Sequence, residues 1–390
     1  MTTMDGPQRS RKESFFKNFF RPSDHGLADN FRLTSFVLLN LLEGFDDVHP
    51  RQQYTDNESQ PTTSGINDGP VVSSCAQTTV GIGLDSAVIE LKDKIHSLVQ
   101  TTDFLYPLID DPYIMGKVAC ANVLSDLYAM GVPDCDNMLM LAGIPMKMTD
   151  TERDVAFAQM MKGFSDEAVA GNTYVTGGDT KYSEWCMIGG TATAIVKTES
   201  VILPYGAQLG DSLVLTKPLG TQNATFAYQW YQEGGEKWDK LSGVISEDEV
   251  QEGYFTAVES MIRLNKTGAS LMAKHRAHAA TDITGFGLLG HANNLARHQT
   301  DPVSLVIRKL PIINGMAAVE RSIGDRFGLL SGKGIETSGG LLISLPQEEA
   351  PMFCRSIKDI DGFDAWIVGE VIEGDRTAFL DKNVELVEAR

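Results

Sequence analysis

Positive charge is scarce in this chain. Its 33 Lys and Arg stand against 52 Asp and Glu, a formal net charge of −19. Duplex nucleic acid and anionic membrane surfaces are held by clustered cations, so neither is an expected partner. The five cysteines, Cys75, Cys120, Cys135, Cys186 and Cys354, contain no C-x-x-C. That spacing signals neither a zinc site nor a disulfide framework. Free thiols in a reducing compartment follow, and with them a cytoplasmic location. No apolar run reaches the roughly 18–20 residues of a spanning helix. The opening residues also lack the apolar stretch of a secretory signal. A Walker A sequence is missing too, because Gly116-Lys117 and Gly332-Lys333 are not followed by Ser or Thr. Any nucleotide must be held in another way.

What is present begins with size. A chain of 390 residues exceeds the usual limit of one hydrophobic core, so two domains are expected. Residues 1–77 read as a mostly flexible N-terminal segment, with a short apolar helical piece at Val37–Gly44 and a polar loop over 46–76. Residues 78–203 read as the first domain and 204–390 as the second, joined at the turn-rich Pro204–Gly210. Strands are expected at Val80–Asp85, Ser97–Asp103, Thr173–Thr176 and Met187–Val196. Asp111-Pro112 opens a helix that stops at Gly131, and the capping box Thr149–Glu152 opens another that ends near Gly171. The second half gives strands at 212–216, 303–308, 339–345, 364–372 and 376–388, with helices at 249–264, 267–275 and 285–298. Without a strict βαβ rhythm the fold class is α+β, two mixed domains.

Four aspartates end or flank apolar runs: Asp85, Asp103, Asp126 and Asp282. Desolvating carboxylates is costly unless something positive lies among them. A shared site for a hard cation is the reading, and Mg²⁺ suits oxygen ligands and phosphates best. Asn122 and Asp126, four apart, share one helix face. Gly285-Phe-Gly-Leu-Leu-Gly290 matches G-x-G-x-x-G but lacks a good preceding strand, so a helix N-terminus after Asp282 is the better reading. Thr176–Thr180 is either a backbone loop close to a nucleotide or an ordinary hairpin turn. Thr337–Gly340 is another glycine-lined turn. His275, His278, His291 and His298 fit no zinc motif and read as helix-surface or capping residues.

The stretches Gly81–Asp85, Gln100–Asp103, Asp110–Tyr113, Ala119–Gly131, Thr176–Gly178, Leu215–Thr221, Ala279–Gly287 and Glu336–Gly340 together resemble the eukaryotic selenophosphate synthetases (selenide, water dikinases). These belong to the aminoimidazole ribonucleotide synthetase-like superfamily. The resemblance implies a reaction of ATP, selenide and water giving selenophosphate, AMP and phosphate. It implies Asp85, Asp126 and Asp282 as Mg²⁺ ligands. It places Gly83, Leu84, Asp85, Asp103, Asp126, Gly177, Gly178, Asp179 and Thr180 at ATP. It also implies a homodimer paired through the N-terminal sheets. One departure stands out. The family's glycine-rich loop with Cys or selenocysteine, and Lys three residues on, belongs between Phe31–Phe36 and Leu41–Phe45. Only Val37-Leu-Leu-Asn40 joins them here. No catalytic residue is therefore assigned, and an ATP-binding paralogue without selenide activity is the alternative.

Overall fold

A computed structural model describes residues 6–28, 31–36, 78–80 and 83–389. The helical piece at Val37–Gly44, the 46–76 loop and Cys75 lie outside them. Two six-stranded sheets organise the chain. The first runs β1 (Thr78–Val80), β2 (Ala87–Glu90), β3 (His96–Leu105), β6 (Met187–Lys197), β4 (Asn137–Pro145), β5 (Val175–Ser183), in that spatial order. Only β4 and β5 pair in parallel. The second runs β12 (Ala378–Ala389), β9 (Val303–Ile313), β11 (Trp366–Glu373), β7 (Ser212–Leu215), β10 (Leu341–Leu345), β8 (Ala279–Asp282).

Helices α2 (Pro112–Ala129) and α3 (Asp150–Ala170) cover one face of the first sheet. Their ends follow capping chemistry. Asp111 accepts from Ile114 N–H, and Thr149 and Glu152 close a reciprocal capping box. The two helices cross at backbone contact. A Cβ on Gly116 would meet Met160 O at 2.0 Å, and one on Gly163 would meet Tyr113 O at 1.9 Å. That close crossing buries the whole middle of α2, from Val118 to Leu124. The second sheet carries α4 (Thr221–Glu233), α5 (Glu236–Leu241), α6 (Glu247–Ile262), α7 (Lys266–Lys274), α8 (Gly287–Arg297), α9 (Met316–Ser322) and α10 (Ala350–Asp361).

Several expectations change. Residues 6–28 are not loosely attached. Helix α1 (Gly6–Asn18) sets Phe15 and Phe16 ring to ring with Tyr254, Phe255 and Tyr228, and Phe20 N–H donates to Asp111. Aromatic burial of this kind outweighs the ordering entropy of a short polar segment. The strand expected over Val80–Asp85 ends at Val80, and Asp85 stands in the following bend. Thr176–Thr180 is neither loop nor turn. It lies inside β5, an exposed edge strand, and Gly178 (φ +144°) passes so near Met140 that a Cβ would meet its carbonyl oxygen at 1.8 Å.

Candidate active site between the two sheets

The side chains of interest come from five elements and both halves. Asp103 is on β3, on the same face as the buried Val99 and Thr101, and so points toward α2. Asn122 of α2 donates its amide to Asp103 Oδ2. One turn further on, Asp126 accepts from the Thr101 hydroxyl. Asp85 enters from the β1–β2 connection, and its Oδ1 accepts from Thr281 Oγ1 of β8 at 2.9 Å. Asp282, the last residue of β8, is 1% exposed. Asn294 of α8 holds the same connection from the other side, donating to Gly83 O at 2.7 Å. The acidic residues thus meet where the halves dock.

Burial raises the pKa of each of these acids, and mutual repulsion adds to the rise at Asp85, Asp126 and Asp282. Burial pushes the Asp85 carboxyl well above its ordinary range, and Asp282 adds to the rise. Burial does the same to Asp126, with Asp282 and Asp85 as further causes. Asp282 is raised to about 6, by burial first, while the Ser125 hydroxyl and Lys217 pull it back. Asp103 is raised by burial, against hydrogen bonds from Phe104 N–H and Asn122. Like charges packed this closely call for a cation. Asp85 Oδ2 and Asp282 Oδ2 are both buried without a hydrogen-bond partner.

Among the described residues, ligand atoms of Asp85, Asp282 and His291 lie within 4.8 Å of one another. Of the two expected roles, helix surface or capping, His291 takes the second: it is buried on the inner face of α8. Its Nε2 accepts from Thr284 N–H at 3.1 Å and Phe286 N–H at 3.3 Å. That lone pair is spent and Nδ1 carries the proton, so His291 shapes the Thr284–Phe286 turn rather than ligating. Burial lowers its pKa to about 4. The donor set left is carboxylate oxygen, the chemistry of a hard cation. Its place one turn after the Gly287 helix start was the signal for His291.

Gly177, Gly178, Asp179 and Thr180 are not in this cluster within one chain. Asp103 is opposite Gly190, Gly190 opposite Met140, and Met140 opposite Gly178. Three strand spacings separate them, about 14 Å. Asp179 is exposed and paired with Lys181.

Residues 83–196 fit the family model "AIR synthase related protein, N-terminal domain", and residues 208–382 fit the corresponding C-terminal domain. Selenide, water dikinase 3 of Danio rerio is 47% identical over 398 residues, covering 94% of this chain and 88% of that protein. The chain belongs to the selenide, water dikinase family. Another member, selenide, water dikinase 2 of Homo sapiens, is 49% identical over 391 residues, 94% of this chain and 87% of its own length. Among solved structures, thiamine monophosphate kinase from Aquifex aeolicus has a TM-score of 0.55 at 22% identity, covering 77% of this chain and 91% of that one. Hydrogenase maturation protein HypE in complex with ATP has a TM-score of 0.54 at 16% identity, covering 71% and 77%. These two share the fold, two AIR synthase-like α+β halves.

Proposed function

We propose that this protein is a selenophosphate synthetase, an enzyme that uses ATP, selenide and water to give selenophosphate, AMP and phosphate. Membership of the selenide, water dikinase family supports the reaction. The observation that carries the site is the meeting of Asp85 and Asp282 from the two halves, with ligand atoms within 4.8 Å and one buried, partnerless carboxylate oxygen on each. Such oxygens fit Mg²⁺, with Asp85, Asp126 and Asp282 as its holders. Bound there, Mg²⁺ would supply neutralisation of the triphosphate charge, the main demand of phosphoryl transfer.

The chain's own groups do the rest. Asp103, fixed by Asn122, lines the nucleotide site beside the acidic cluster. Gly83 and Leu84 bring backbone to the nucleotide, steadied by the Asn294 amide. Burial of Asp282 strengthens the charge interactions made there.

A homodimer completes the site in this reading. The face of the first sheet away from α2 exposes Phe104 (56%), Leu139 (37%) and Ile195 (54%), with the polar pairs Gln100–Thr193 and Thr102–Thr191 between them, a mixed surface that a second copy would cover. Pairing through that face would let the partner's β5 offer its Gly177–Thr180 segment to the nucleotide, which one chain cannot reach unaided. Cytoplasmic residence is supported by the free thiols of Cys120, Cys135, Cys186 and Cys354.

A second reading rests on the sequence. No Cys or Lys lies between Phe36 and Leu41. Without a soft nucleophile and that ammonium, ATP would bind without selenide being used. Incubation with ATP and Mg²⁺, with and without selenide, separates the two. AMP formation that requires selenide supports the synthetase. ADP formation indifferent to selenide would refute it in favour of the paralogue.

A further inference from the structure

The segment Glu336–Gly340, which leads into β10, is tied to its own half at three points. The Glu336 carboxylate accepts from Gly220 N–H at 2.6 Å and Thr221 N–H at 3.0 Å, at the start of α4. Ser338 O accepts from Lys217 Nζ at 2.8 Å, and Gly339 O accepts from Asn265 Nδ2 at 2.7 Å. Ser338 itself is buried and takes a left-handed backbone (φ +47°), which a residue with a Cβ rarely adopts. Such a conformation persists where its surroundings over-determine it, and it clusters at functional sites.

The effect of that backbone is to turn one N–H out of the second half. Ser338 N–H donates to Asn122 Oδ1 of α2 at 2.8 Å. A backbone N–H can only donate, so Asn122 must face it with oxygen. Its Nδ2 is then left to donate to Asp103 Oδ2, while Asp103 Oδ1 accepts from Phe104 N–H at 2.9 Å. With the amide reversed, oxygen would face the Asp103 carboxylate and nothing would hold it. Lys217 is the buried anchor of this arrangement. Its ammonium donates to two backbone carbonyls, Ser338 O and, at 2.6 Å, Arg263 O. Burying an ammonium is costly, and an apolar side chain would fill the same space. What only a donor can do here is fix the direction of the Ser338 carbonyl.

We infer that Lys217 is a positioning residue for the nucleotide site, acting through the Ser338 backbone and Asn122 on Asp103. The inference rests on the reading of Asp103 as a residue of that site. Each link is a hydrogen bond, and the chain of them crosses from the second half to the first. Lys217 does not bond Asp103; it decides which end of the Asn122 amide Asp103 meets. Its loss frees the Ser338 turn, and with it the amide that holds the carboxylate.

The test is calorimetric titration of the full-length protein with ATP in Mg²⁺. Lys217→Met keeps the shape but removes the donors, and should weaken ATP binding by roughly 10–100-fold, the scale of one hydrogen bond to a charged group. The Lys217 charge is also felt at Asp282. Lys217→Gln, which keeps an N–H donor without the charge, separates direction from charge and should recover most of the affinity. In an Asn122→Ala background, Lys217→Met should cost no further affinity. Should Lys217→Met not fold, an ester in place of the Thr337–Ser338 amide removes only the Ser338 N–H and must give the same loss. Wild-type affinity in folded Lys217→Met or in the ester, equal losses in Lys217→Met and Lys217→Gln, or multiplied effects with Asn122→Ala overturn the inference, provided Asp103→Asn still loses ATP. Should Asp103→Asn bind ATP as wild type does, the reading of Asp103 falls and the inference with it.

Discussion

Replacing Asp282 by Asn should stabilise the protein without metal and remove its response to metal. In the folded chain this carboxyl is raised from 3.8 to about 6, chiefly by burial. A raised acid favours its protonated form. Its contribution to stability is therefore complete below about pH 3.8 and is lost as pH climbs through about 6. At pH 7 the ionised group costs about 3 kcal/mol, taking ~1.36 kcal/mol for each pH unit of the rise. The amide that replaces it would carry no charge and could donate to Asp85 Oδ2, which lacks a partner. Urea titration in EDTA at pH 7 should show Asp282→Asn more stable than wild type by up to about 3 kcal/mol, with the gap closing near pH 4. In Mg²⁺ the order should reverse, because only wild type gains from the cation. A variant that is less stable in EDTA, yet keeps the full Mg²⁺ response, would refute the electrostatic reasoning.

Gly163→Ala should lose about 1–3 kcal/mol in urea unfolding, because the new Cβ would meet Tyr113 O at 1.9 Å; wild-type stability would contradict the close helix crossing. Burial raises the Cys120 thiol well above its ordinary value, Cys186 to about 12 and Cys354 to about 11. Iodoacetamide at pH 8 should leave all three largely unmodified in the native protein, by mass spectrometry, and label them once urea is added. Phe104→Glu should shift the solution mass by light scattering from dimer to monomer, since it places charge on the open sheet face; an unchanged dimer would move the interface elsewhere.

Much of the architecture was legible from the chain. Helices α2 and α3 were placed within a residue or two, because Asp111-Pro112, Thr149–Glu152, Gly131 and Gly171 are local signals with local physics. The β9 to β12 strands of the second half were also placed by their apolar runs. The short β2 escaped notice, and so did β4, whose Met, Leu and Ala residues carry little strand propensity. The candidate site was partly visible. The aspartates were found, whereas Thr281 was not, because its partner Asp85 lies 196 residues away. The glycines of Gly177–Thr180 read as a loop near a nucleotide or a hairpin turn, whereas the segment is strand and Gly178 serves a close contact with Met140. For His291 the capping alternative holds, since its ring accepts from the backbone of the turn that precedes α8.

The most direct measurement is calorimetric binding of ATP in Mg²⁺ and in EDTA, for wild type, Asp85→Ala and Asp282→Ala. Binding by wild type in Mg²⁺ alone, and by neither variant despite native circular dichroism, is the predicted result. Equal binding in EDTA, or undiminished binding by both variants, would contradict a nucleotide held through cations on these carboxylates.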